Sequence, residues 1–149
     1  MTEKKAVHYG KIELIPGNIC DSYVLDDGTA VISDHGLAKL LGIKHEALQN
    51  MAETGVPKML KPFILDKNLS TLPTLVKVTA KNSPDKGKKI AVYGVSFMES
   101  LISGYALAFA NNALMPNQKD VGERCFALSS ALVRTALDVS TNEAVGRKY

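Results

Sequence analysis

The chain has 149 residues, 46% hydrophobic and 22% charged, with a net charge of +3. That length suits one domain with a core of its own, and the apolar fraction excludes global disorder. Two cysteines, Cys20 and Cys125, exclude a disulfide scaffold and a four-cysteine zinc site, and the absence of tryptophan disfavours base-stacking platforms and aromatic cages.

Met1–Tyr9 carries charge but no apolar run and no small-residue cleavage site, so it does not read as a signal peptide. Residues 9–33 read as a strand meander. Lys11–Ile15 is a short apolar-rich run ended by the turn pair Pro16-Gly17. Tyr23–Leu25 and Thr29–Ile32 flank Asp26-Asp27-Gly28, and Asp-Gly is a strong hairpin signal.

Helical signals begin next. Ser33 or Asp34 can cap a short helix through Leu41, which Gly42 stops. A second helix is expected from about His45 to Glu53, with Gly55 and Pro57 ending it. Residues 56–74 hold three prolines and read as short helical turns and loop. Leu75–Ala80 and Lys88–Tyr93 form a second hairpin around residues 82–87.

Two longer helices finish the chain. Ser96 and Glu99 have the spacing of a capping box, and the helix they open is apolar nearly all round (Phe97, Met98, Leu101, Ile102, Tyr105, Leu107, Phe109), as a buried central helix should be. Pro116 separates it from the next helix, where Val121, Cys125, Leu128, Leu132 and Ala136 step along one face. Ser140 and Glu143 repeat the capping-box spacing near the end of the chain, as though a further helix began there, which suggests the N-terminal part of a longer protein. The longest apolar stretch, Val92–Met115, is interrupted by Gly94, Ser96, Glu99 and Asn111 among others, too often for a membrane span. The expectation is a single α+β domain over residues 1–149, soluble and cytoplasmic, with two β-hairpins, a short helix pair and two longer C-terminal helices.

Asp34–Glu53 is the most informative window. Two short helices crossing steeply need a small residue inside the first, a glycine at the turn and apolar residues locking both. Ala38, Gly42 and the set Leu37, Leu41, Ile43, Leu48 and Met51 supply these, with the spacing of a DNA-binding helix-turn-helix. The second helix would be the reader, presenting Lys44, His45, Glu46, Gln49 and Asn50, with Lys39 nearby to grip the duplex. Gln and Asn can bond adenine edges bidentately, and Lys can reach phosphate or guanine. The alternative is an ordinary tight helical corner. Glu46 and Glu53 would repel phosphate, and Lys44 lacks capping chemistry. A second basic feature is the hairpin tip, where Lys81, Lys86, Lys88 and Lys89 face one Asp85. It reads either as a flexible lysine wing holding phosphates or as a solvated turn kept soluble by its lysines.

Catalytic signals are weak. His8, His35 and His45 show no ligand spacing, and the adjacent Asp34 and His35 should diverge on a helix, so neither a metal nor another cofactor is expected. Cys20 and Cys125 read as small packing residues. A metal enzyme would need Asp21, Asp26, Asp27 and Glu143 to converge. No phosphate-binding loop, nucleophile elbow or dinucleotide fingerprint is present, so the chain does not read as an enzyme.

Several segments together resemble a domain carried by temperate phages and prophages, the "P-63-C" domain. Leu25–Gly42 (LDDGTAVISDHGLAKLLG), Val56–Phe63 (VPKMLKPF) and Lys67–Leu69 resemble its start, and Gly104-Tyr105, Leu114–Gln118 (LMPNQ) and Asn142–Gly146 its later half. The family usually closes on D-E-A-T-G-Y. Here Asn142 replaces the Asp, Val145 the Thr, and Arg147-Lys148 precede the Tyr. The family's biochemical function is uncharacterised. By its company it is similar to phage antirepressor modules of the KilA-N and Bro-N type, small α+β DNA-binding domains, an analogy of fold and setting. Taken with the helix-turn-helix spacing and the lysine tip, the resemblance leads to the expectation of a phage or prophage regulatory protein that binds DNA, as a homodimer. The alternative is a protein-interaction module, an antirepressor or anti-defence factor docking on a host or phage protein, with part of the apolar 97–115 helix as its interface.

Overall fold

In the computed structural model, residues 4–15 and 17–146 are described, in the order β1 Lys5–Ile15, β2 Asn18–Leu25, β3 Ala30–Ser33, α1 Asp34–Leu41, α2 His45–Thr54, β4 Thr74–Val78, β5 Lys89–Gly94, α3 Val95–Ala110 and α4 Lys119–Ala144, with single 3-10 turns at Lys61–Phe63 and Pro116–Gln118. Pro16 of the expected Pro16-Gly17 turn, and Arg147, Lys148 and Tyr149 of the closing motif, lie outside the described residues.

The mix of strands and helices is the α+β class expected, and both hairpins form. Asp27 accepts the Thr29 N–H through its carboxylate at 3.0 Å and Gly28 takes a φ of 86°, so the Asp-Gly signal does build the β2–β3 turn. β1 is longer than the apolar run suggested. It starts at Lys5 instead of Lys11, because Ala6 is fully buried between β2 and β4.

The five strands close into a barrel in the order β1-β2-β3-β5-β4. The closing seam is parallel, pairing Lys5 with Lys77 and Ala6 with Val78. Closure leaves no open edge to template aggregation. Inside the barrel lie Ala6, Tyr23, Leu25, Val31, Val76, Val78, Ala80 and Val92. A larger core lies between the barrel's outer surface and the helices, joining Ile32 and Cys20 to Leu37, Leu41, Leu48, Leu101, Tyr105, Cys125 and Leu128. Beyond the barrel, Ile12 and Leu14 of β1 pack against this second core.

α3 is the central helix expected, with Phe97, Leu101, Ile102, Tyr105, Ala106 and Ala108 buried. Its start differs. Gly94 is the cap, with no side-chain capping bond, and Glu99 accepts instead from the Ser103 hydroxyl at 3.0 Å. The helix leaves β5 directly, so it begins before Ser96 can cap it. The second capping box is also overturned. Ser140 and Glu143 lie inside α4, which runs unbroken from Lys119 to Ala144 because its helical pattern continues through them. The expected α4 face is buried at Val121, Cys125 and Leu128, half-buried at Leu132 and exposed at Ala136. Close packing of α3 and α4 depends on Gly122. A Cβ there would lie 2.9 Å from Phe109 Cβ and closer still to Leu114.

Candidate nucleic-acid interface

The α1–α2 corner forms as its residues dictate. Ser33 caps α1, its hydroxyl accepting the Gly36 N–H at 3.0 Å. Gly42 adopts the left-handed conformation (φ 75°), and its N–H returns to Ala38 O at 2.9 Å. Leu37, Ala38, Leu41, Leu48 and Met51 are buried, and Ile43 packs half-buried against them. Lys44 starts α2 without a side-chain cap, as its chemistry indicates.

Arg124, from α4, clamps this corner and was not singled out in the sequence. Its Nε donates to Leu40 O at 2.7 Å and its guanidinium to Lys39 O at 3.3 Å, satisfying carbonyls that the end of α1 leaves open. Asn18 Nδ2 also donates to Lys39 O at 3.5 Å. The only sequence hint is an arginine one position before a core cysteine. The long-range docking that aims it is invisible locally.

Of the expected reader residues, Lys39, Lys44, Gln49 and Asn50 are exposed, as are Glu46 and Glu53. They do not share one surface. Lys44 and Asn50 line a groove of about 890 Å³ between α2, the 56–61 loop and the start of α4. Lys58 and Lys61 line it as well, so three lysines there face one carboxylate, Glu46. Lys58 and Lys61 sit three apart in the VPKMLKPF segment, a signal the sequence contains but which gains meaning only when the loop folds against α2. Gln49 lies in a neighbouring hollow with Glu53 and Pro73, and Lys39 in another with Lys11, Asp21 and His35.

Lys81, Lys86, Lys88 and Lys89 are exposed at the β4–β5 tip. The tip is not a loose wing. The Tyr23 hydroxyl and Ser83 hydroxyl share a buried 2.8 Å hydrogen bond, Asn82 Nδ2 donates to Tyr9 O at 3.1 Å, and the Gly87 N–H donates to Val78 O at 2.8 Å. Lys88 lies 4.0 Å from Asp85. The Tyr9 hydroxyl donates to Asp21 at 2.6 Å, and burial together with that carboxylate pushes the phenol up to about 12. Tyr9 therefore ties the lysine tip to the strand that lies beneath α1.

His45 has a different setting from a free reader. Its Nε2 lies 2.6 Å from Asp34 Oδ2, and its ring stacks on His35 with centroids 3.8 Å apart and planes at 16°. Asp34 Oδ1 accepts the His35 N–H at 2.8 Å. The ligand atoms of Asp34, His35 and His45 all lie within 4.8 Å of one another, so the expected divergence of Asp34 and His35 does not occur. α1 begins at Asp34, and α2 folds back across that first turn, which brings His45 to both. The acidic set does not gather in this way: Asp21 bonds Tyr9, Asp27 holds the Thr29 turn and Lys4, and Glu143 lies in the last turn of α4.

Cys20 and Cys125 are free and buried, as packing residues should be, and burial pushes the Cys125 thiol up to about 12. Among the described residues no helix is long and apolar enough to cross a membrane. The α4 residues 133–141 are exposed throughout, with Val133 at 57% and Leu137 at 63%. An apolar groove of about 430 Å³ runs beside them, lined by Leu14, Leu40, Met98, Ile102 and Leu132. Comparison with protein-family models, curated proteins and solved structures found no match for this chain.

Proposed function

We propose that this chain is a phage or prophage regulatory protein of the cytoplasm that binds double-stranded DNA through the α1–α2 corner and acts by binding, without catalysis. The observation that carries the reading is the basic groove along α2, where Lys44, Lys58 and Lys61 flank the exposed amide of Asn50. Lysines at the groove would hold phosphates and set the register of α2, while Asn50 and Gln49 meet base edges. Lys39 and the hairpin lysines Lys81, Lys86, Lys88 and Lys89 would extend the phosphate contacts. His45 would hold α2 in place by its bond to Asp34 instead of reading bases.

Titration against duplex DNA at two salt concentrations tests this. Six phosphate contacts would give a slope of log affinity on log salt of about −5, and removing Lys44 and Lys61 together would make it shallower by about two. No binding at about 50 mM salt, or binding indifferent to salt, refutes the reading.

A second reading rests on the exposed apolar side of α4. Val133 and Leu137 beside the Leu132 groove form the kind of surface that mediates protein association. It favours a homodimer or an antirepressor-like docking module. The interface residues then lie on α4, since α3, which ends at Ala110 and not at 115, spends most of its apolar side chains in the core. Sedimentation across a concentration series separates self-association from a monomer.

A further inference from the structure

We propose that Asp34, His35 and His45 form a binding site for a borderline transition-metal ion of the Zn²⁺ or Co²⁺ class, pinning the start of α2 to the start of α1. The inference stands apart from the nucleic-acid reading and needs no DNA. Three side chains from two helices offer one carboxylate oxygen and two imidazole nitrogens within 4.8 Å of one another. A tetrahedral ion with ligands at about 2.0–2.1 Å needs neighbouring ligand atoms about 3.4 Å apart. His35 must leave its stack on His45 to reach that geometry, because parallel rings 3.8 Å apart aim their nitrogen lone pairs side by side. His35 is exposed, so its side chain has room to rotate out of the stack, and Asp34 Oδ2 and His45 Nε2 need only open from their 2.6 Å contact.

The surroundings orient the ligands. The His35 N–H holds Asp34 Oδ1 at 2.8 Å, which leaves Oδ2 directed at His45. This is the outer bonding that fixes a metal-binding carboxylate. Asp34 and His45 are both half-buried, with 17% and 24% of their side chains exposed, so the ion would be partly shielded from solvent. Two imidazoles favour Zn²⁺, Co²⁺, Ni²⁺ or Cu²⁺ over Mg²⁺ or Ca²⁺, which prefer all-oxygen sets. Three protein ligands leave a fourth position for water or an external ligand. The ion would take the place of the Asp34–His45 hydrogen bond.

The test is a Co²⁺ titration of the whole chain, followed by its visible ligand-field absorption, with thermal melts in Co²⁺ and Zn²⁺. One ion per chain with tetrahedral-type bands and a raised melting temperature is expected, with magnesium inert. Asp34→Asn, His35→Ala and His45→Gln should each weaken binding by about tenfold or more. His35→Ala alters an exposed residue and keeps the fold, so its result is decisive even if the other two variants unfold. His8→Ala, on β1, should bind as the parent does. Absence of saturable binding overturns the proposal, as does binding that survives undiminished in His35→Ala or is lost in His8→Ala.

Discussion

Replacing Arg124 by alanine tests whether α4 sets the position of the α1–α2 corner. The guanidinium makes a 2.7 Å bond to Leu40 O and a longer, more exposed one to Lys39 O at 3.3 Å. A hydrogen bond from a charged donor contributes about 1.5–3 kcal/mol, and a cation at a helix C-terminus about 0.3–1 kcal/mol. Solvent screens the outer half of the group, so the loss on truncation comes to about 2 kcal/mol. The arginine stem also lies against Gly42, since a Cβ there would be 3.1 Å from Arg124 Cδ. Three variants divide these contributions. Arg124→Ala removes everything, Arg124→Met keeps the stem, and Arg124→Lys keeps the charge but not the forked donors. Urea unfolding is the assay. With an m-value of about 2 kcal/mol per M, Arg124→Ala should lower the midpoint by about 1 M with the slope unchanged. Lysine should lose about half as much, and methionine should lie between lysine and alanine. A loss below about 0.5 kcal/mol for alanine, or a methionine variant as stable as the parent, would refute the reasoning.

Gly122→Ala should cost stability although alanine is the better helix former by about 1 kcal/mol. Its Cβ would strike Phe109 Cβ at 2.9 Å, and overpacking of this kind costs about 1–3 kcal/mol, so the melting temperature should fall by a few degrees; an unchanged or raised value contradicts the close α3–α4 approach. The joint change Val133→Asp and Leu137→Asp should leave the fold intact, because both side chains point to solvent, and should abolish any concentration-dependent association in sedimentation; a persisting dimer places the interface elsewhere. Burial raises the Cys125 thiol from 9.0 to about 12, and the Tyr105 phenol from 10.0 to about 12. Above pH 9 the unfolded chain releases protons that the native state retains, so stability present below that pH is lost progressively toward pH 12; equal urea midpoints at about pH 8 and about pH 10.5 would contradict this. For the same reason thiol reagents should label Cys20 and Cys125 only after unfolding, and rapid native labelling would show that one of them is reachable.

The local devices were legible in the residues themselves. Asp-Gly at 27–28 makes its hairpin, Ser33 and Gly42 bound α1, and the stepped apolar residues of α4 mark its buried face as far as Leu132. These are short-range effects, in which a side chain meets backbone within a few residues or lines one side of a helix. The two capping boxes failed for a related reason. Ser96 follows a helix start already made at Gly94, and Ser140 sits in a helix that had no cause to stop. A capping pair acts only where a chain enters a helix, and the spacing alone does not say where that is.

The sequence by itself determined the α+β class, the two hairpins, the helix-turn-helix corner and the exposed lysines of α2 and of the β4–β5 tip. Tertiary structure alone decided the rest. Barrel closure pairs Lys5 with Lys77, the Arg124 clamp spans more than eighty residues to Leu40, and Lys58 and Lys61 become part of a basic groove only when their loop lies along α2. His45 illustrates the difference most sharply. On its helix it reads as a base-contacting residue, yet the fold carries it to Asp34 and His35 and sets three ligand atoms within 4.8 Å. Contacts between distant parts of a chain arise from burying one shared core, and no periodicity in the sequence encodes which polar side chains that burial brings face to face.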